Sequence, residues 1–163
     1  MNEVFIEQLI KRKTTPKSIL AKVALIFVTV IVFAATLIIP FALVLGIVMV
    51  LLDAYIFKMF DLEFEYTYIK GELSIEKIMG KERRKKAASF DLSQLEIVAP
   101  VDSYLLDSYK NTSKVYNFSS LEADHKVYAM VLHQSNGNVK VLFEPNGEIL
   151  NAMRDAHPRK INI

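Results

Sequence analysis

From Val23 through Leu52 the chain runs for thirty positions without an Asp, Glu, Lys, Arg or His. A buried helix of a soluble domain rarely sustains such a run beyond about 10–14 residues, whereas a membrane span needs about 20. As one helix, thirty residues would extend about 45 Å, too long for a single ~30 Å hydrocarbon crossing. Widened to its polar flanks, Ile19 to Phe60, the segment holds 42 residues with Pro40 near the midpoint. Proline removes a backbone donor and clashes with the preceding turn, so the chain is expected to reverse there. The reading is a two-helix transmembrane hairpin over 18–60, with helices over residues 18–39 and 41–60. One long tilted helix, kinked at Pro40, is the alternative.

After Phe60 continuous apolarity gives way to alternation. Leu62, Phe64, Tyr66 and Tyr68 alternate with Asp61, Glu63, Glu65 and Thr67, the period of a half-buried strand. Lys70-Gly71 makes a turn, and Leu73, Ile75 and Ile78 mark the return strand. Gly80 to Lys86 is a charged connection leading to Ala87–Phe90. Four more strands are expected at Leu95–Val98 (ended by Pro100), Lys114–Phe118, Val127–His133 and Val139–Phe143, with Asn136-Gly137 turning the last pair. Ile149, Leu150, Met153 and Ala156 form one face of a helix that opens at Pro145–Glu148 and stops at Pro158. Residues 61–163 therefore read as an α+β domain: a seven-stranded antiparallel barrel capped by a C-terminal helix, the element order of a pleckstrin-homology-like (PH-like) domain.

Two stretches carry a resemblance. Phe64–Ile75, then a Gly-Lys-Arg-rich turn and Phe90-Asp91-Leu92, is similar to the opening of bacterial PH-like domains that follow a pair of transmembrane helices. The start Asn2–Leu9, the junction Leu142-Phe143-Glu144-Pro145-Asn146 and the terminal Pro158-Arg159-Lys160 resemble an uncharacterised family of small Gram-positive bacterial membrane proteins. The resemblance implies architecture and location and supplies no catalytic residues.

Charge orients the hairpin. Residues 1–60 carry six Lys/Arg against three Asp/Glu, and residues 61–163 carry fourteen against fifteen. The positive excess thus belongs to the anchor, which argues against a nucleic-acid-binding module. Lys11, Arg12, Lys13, Lys17 and Lys22 flank the first span and Lys58 ends the second, while the turn around Pro40 has no cation. Both termini are expected in the cytoplasm of a multi-pass cell-membrane protein. The apolar run is too long for a cleaved signal peptide. Ahead of the hairpin, Val4, Phe5, Ile6, Leu9 and Ile10 precede Lys11-Arg12-Lys13. That spacing suits a basic amphipathic segment over residues 1–17, a short helix lying in the membrane interface. A frayed terminus serving only as a topology signal is the other option.

Little else points to chemistry. The chain has no cysteine, which excludes disulfides and thiolate sites. His125, His133 and His157 share no metal-ligand spacing, there is no Gly-rich phosphate loop, and no G-x-S-x-G elbow. No cofactor and no catalysis are expected. Asp53 is the one acid inside the second span, and pairing with Lys22 or snorkelling is its expected fate. The cluster Lys81, Arg83, Arg84, Lys85 and Lys86 suits anionic lipid, each cation near the surface contributing about 1 kcal/mol; a solvated turn is the bland alternative. The Asp-, Ser- and Tyr-rich loop Val101–Tyr116 is either a partner surface or misjudged core. The leading expectation is a non-enzymatic, membrane-anchored binding or scaffolding protein for membrane lipids or a protein partner. The second is a small transport or channel accessory subunit built around Asp53. A homo-oligomer fits either.

Overall fold

The computed structural model describes residues 5–163, which divide into two compact units. One joins Lys13–Leu62 to the short segment Met79–Arg83; the other joins the residues up to Arg12 with Glu63–Ile78 and Arg84–Ile163.

The first unit contains the helical hairpin. Helix α1 (Pro16–Ala35) starts with Thr15, whose Oγ1 accepts from the Ser18 N–H at 3.3 Å, and with Pro16 where no N–H is needed. Helix α2 (Ala42–Phe60) begins just past Pro40. The reversal takes up residues 36–41, so α1 ends four residues earlier than expected. The N–H groups of Ile38 and Ile39 both return to the Ala35 carbonyl, at 3.1 and 2.9 Å, and close the helix end. At 20 and 19 residues both helices are long and apolar enough to cross a membrane. Their less exposed positions repeat at heptad spacing: Lys22, Leu25, Thr29 and Val32 on α1, and Gly46, Met49, Asp53 and Ile56 on α2. Gly46 brings the backbone close to Phe33, where a Cβ would stand a tight 3.2 Å from the ring.

The second unit is built on two four-stranded sheets. The first has the order β1 (Phe5–Lys11), β2 (Leu62–Ile69), β3 (Glu72–Met79), β4 (Arg83–Asp91). The second holds β5 (Leu95–Pro100), β6 (Lys114–Asn117), β7 (Tyr128–Gln134) and β8 (Gly137–Phe143), in the order β5-β7-β8-β6. This corrects the expected closed, seven-stranded antiparallel barrel: the described residues form eight strands in two sheets, and β6 runs parallel to β8.

The extra strand is β1, in place of the expected interfacial helix. It pairs antiparallel with β2 from Phe5↔Ile69 to Lys11↔Glu63. Ile6, Gln8 and Ile10 turn inward while Phe5, Glu7, Leu9 and Lys11 face out, a period of two where a period near 3.6 was expected. Residues 1–4 of that expectation lie outside the described residues. The hairpin is thus an insertion between two neighbouring strands of one sheet. In the β3–β4 connection only Gly80–Glu82 form the turn, so Arg83–Lys86, expected as loop, open β4. Their side chains stay exposed on both faces, so charge does not oppose pairing there. The last hairpin turns at Ser135-Asn136, one residue ahead of Asn136-Gly137, with Gly137 (φ +107°) opposite Gln134.

Helix α3 (Gly147–Ala156) is capped by Asn146, whose Oδ1 accepts from the Ile149 N–H at 2.9 Å. Ile149, Leu150 and Met153 are buried as expected, whereas Ala156 is exposed at the helix end. They join Tyr66, Leu73, Ile75, Met130, Leu132 and Phe143 among the buried core residues. The tail then returns as a bridge, Val98↔Ile161, with Val98 N–H on the Lys160 carbonyl at 2.7 Å. Part of the Val101–Tyr116 loop is core: a 3-10 turn at Tyr104–Tyr109 drives Leu106 against Ala99, Ala129 and Val131, while Tyr104 remains exposed.

Candidate functional site

The basic run is held at its start by the end of α2. Gly80 adopts φ +60° and donates its N–H to the Asp61 carbonyl at 2.8 Å, and a Cβ there would stand 3.1 Å from Lys58. Only glycine accepts that backbone conformation at so close an approach. Glu82 reaches the Lys58 ammonium at 3.6 Å, an exposed pair that contributes at most about 1 kcal/mol. Lys81, Arg83, Arg84, Lys85 and Lys86 are all exposed. Arg84 pairs with Glu65 on β2. The run has no enclosing walls, so it can meet a charged surface but cannot enclose a small molecule.

Of the N-terminal cations, Lys11 closes β1 opposite Glu63, and Lys11 and Lys13 are exposed. Arg12 lies over the Phe64 ring at 5.5 Å and donates to the Asn117 carbonyl at 3.4 Å. The Phe64 ring forms an edge contact with Phe118, which stacks on Tyr116. Arg12 therefore braces the domain.

Within the hairpin, Asp53 finds a different partner from the one expected. Thr29 Oγ1 donates to Asp53 Oδ2 at 2.6 Å, while Lys22 lies over the rings of Phe57 and Phe60 at 5.8 and 5.7 Å. Spacing explains the exchange. Thr29 and Asp53 occupy facing seam positions, and Lys22 is two turns nearer the helix ends, level with the aromatic pair. Asp53 is 8% exposed, and its Oδ1 is buried without a hydrogen-bond partner.

A third constellation was not foreseen. Glu144, in the junction between β8 and α3, is buried; its Oε1 accepts from the Ser120 N–H at 2.8 Å and from Ser120 Oγ at 2.9 Å. Its Oε2 lies 3.0 Å from His125 Nδ1. Ser120 Oγ is itself 3.1 Å from the same Nδ1. A hydrolytic triad uses the two ring nitrogens separately, one toward the acid and one toward the nucleophile. Here both groups meet one nitrogen, and the serine already donates to the carboxylate. The arrangement fixes the 117–122 turn, where Leu121 is held at φ +65°, and does not activate a nucleophile. His133 bonds Asn138 at 3.0 Å, and among the described residues no cluster of three or more His, Asp or Glu is placed to hold a metal.

The network continues into the core. Tyr66 Oη donates to the Phe118 carbonyl at 2.7 Å and accepts from the Glu144 N–H at 3.3 Å. Gln8 of β1 donates to the Glu144 carbonyl at 2.8 Å and accepts from the Asn146 N–H at 2.7 Å. Burial pushes the Tyr66 hydroxyl well above its ordinary pKa, and Tyr68 shifts the same way through burial and the Asp155 carboxylate. On the surface, the Ser93 N–H holds Asp91 below the usual carboxylate range. A phenol whose folded pKa is raised adds stability that is complete below the unfolded value, about 10, and is lost as pH climbs above it. Tyr66→Phe is expected to cost about 1–2 kcal/mol at neutral pH and to flatten the decline above pH ~10. Urea midpoints between pH 7 and 11 check both. An unchanged alkaline slope would show that Tyr66 does not carry it.

The sequence signal for Glu144 was an acid inside an otherwise apolar strand-to-helix junction, and for Gln8 a polar residue at an inward strand position. Comparison with curated proteins and with solved structures finds no match. A family profile does match, over residues 2–163 and so across both the helices and the sheets. The chain belongs to the family described as Bacterial PH-like domain (DUF6106).

Proposed function

We propose that this protein is a non-enzymatic, membrane-anchored binding module in which the hairpin spans the cell membrane and the PH-like domain meets its cytoplasmic surface through the basic β3–β4 hairpin. The carrying observation is local: the turn that begins the basic run packs on Lys58 and Asp61 at the end of α2. A basic turn packed on the end of a membrane helix is well placed for anionic headgroups. The β1–β2 pairing supports the topology, because the two chain ends of the insertion must then emerge on one side of the bilayer, and their cations favour the cytoplasmic side. Lys11 and Lys13 add to the same field.

Anionic lipid is favoured over a protein partner because the run is exposed on both strand faces and lacks a pocket. A conducting path through the hairpin has less support, since Thr29 and Asp53 are the buried polar residues of its described part. The absence of cysteine permits a direct test. Full-length Ala87→Cys protein, carrying an environment-sensitive dye, is placed in nanodiscs of phosphatidylcholine with or without 30% (roughly a third) phosphatidylglycerol. The dye is expected to be quenched by brominated lipid only in the anionic discs. The contact should vanish when Lys81, Arg83, Arg84, Lys85 and Lys86 become Gln, and weaken in high salt. Equal quenching in both lipids, or persistence after neutralisation, would overturn the lipid reading.

A further inference from the structure

The hairpin carries an open groove of about 540 Å³ along one flank of its helix–helix seam, with Thr29 and Asp53 among its lining residues. Its apolar margins follow helical spacing on each side: Ile26, Val30 and Phe33 from α1, and Val50, Ala54 and Phe57 from α2. Two parallel margins of this kind form the seat of a third helix. At the floor is a carboxyl that is more than nine-tenths buried and has one oxygen unbonded. In hydrocarbon no water reaches such an atom, and transmembrane helices commonly satisfy it by hydrogen bonding across an interface.

We infer that the groove receives a second copy of this hairpin, giving a two-fold four-helix bundle in which the Asp53–Thr29 pairs of the two chains complete each other's hydrogen bonding. Depth selects this occupant. A partner must offer a polar group at the level of Asp53 within an otherwise apolar helix, and a two-fold axis along the membrane normal places an identical pair at that level automatically. The Thr29 hydroxyl is a donor and the free Asp53 Oδ1 an acceptor, so two copies of the pair are mutually complementary. The margins are exposed apolar side chains, Ile26 at 49% and Val30 at 59%, that meet their equivalents without a further charge.

This inference rests on the hairpin spanning the membrane, and the experiment reads the two separately. Because the chain has no cysteine, Ala54→Cys on the groove and Leu52→Cys on the opposite face of α2 are clean probes in native membranes. Oxidation is expected to give a disulfide-linked dimer for Ala54→Cys at several-fold higher yield than for Leu52→Cys. Adding Asp53→Leu should lower the Ala54→Cys yield about ten-fold, a loss of about 1.4 kcal/mol. Asp53→Asn, which keeps a donor and an acceptor, should preserve it. Equal yields at the two cysteines, a yield indifferent to Asp53→Leu, or an adduct with a different protein would overturn the dimer while the chain still resists carbonate extraction. Release by carbonate would instead overturn the membrane placement and the dimer with it.

Discussion

A chain in which residues 13–61 are replaced by a two-residue Asn-Gly turn is expected to fold as a soluble domain, and a fragment beginning at residue 61 is expected to be largely unfolded. The difference is β1. Its register with β2 ends at Lys11↔Glu63, so Arg12 and Leu62 stand where a two-residue type I′ turn can join them. Without β1 the domain loses the buried Ile10 side chain, worth about 1.5–3 kcal/mol. It also loses both hydrogen bonds of Gln8 to the α3 junction, about 1 kcal/mol each. The β2 strand, which carries the buried Phe64, Tyr66 and Tyr68, becomes the exposed edge of its sheet and prone to aggregation. Against a typical total of about 5–15 kcal/mol these losses are decisive. Circular-dichroism melts and size-exclusion profiles of the two polypeptides test this. A cooperative melt of the fragment at the joined domain's Tm would refute the insertion topology as a stability requirement.

Some elements of the fold are legible in the sequence and others are not. The two apolar helices were legible because a thirty-residue charge-free run is too long for one membrane-length helix, and Pro40 marked the reversal. Strands β2, β3, β7 and β8 were legible from alternation, and α3 from its apolar stripe at Ile149, Leu150 and Met153. β1 was misread because its apolar positions fit both a helix and a strand, and pairing with a strand fifty residues later has no local signature. The parallel β6–β8 pair was missed for the same reason, since short strands say nothing of direction. Asp53 stood out at once as a lone acid, yet its partner depended on which seam positions face each other. Thr29 rather than Lys22 meets it across the hairpin. The basic cluster was read as loop where it is largely strand, because exposed charge hides pairing that the backbone makes regardless.

Glu144→Ala should be the most damaging single substitution in the soluble unit. The carboxylate accepts from the buried Ser120 N–H and hydroxyl and meets His125, so its removal strands a backbone donor and a serine in the interior. Orphaned buried groups cost about 1–3 kcal/mol each, which makes a total near 3 kcal/mol reasonable. The strained backbone at Leu121 loses its clamp at the same time. Glu144→Gln keeps an acceptor for Ser120 and should lose only about 1 kcal/mol. His125→Ala should lose still less, because that side chain is half exposed and its pairing is screened. Urea unfolding of the joined domain ranks the three variants. If His125→Ala equalled Glu144→Ala, the His125 contact would be the stabilising one and the Ser120 clamp would not. The predicted order instead makes Glu144 the pin that fastens the 117–122 turn to the β8–α3 junction, whose main chain Gln8 of β1 also grips, so strands on both sides of the helical hairpin converge on one buried carboxylate.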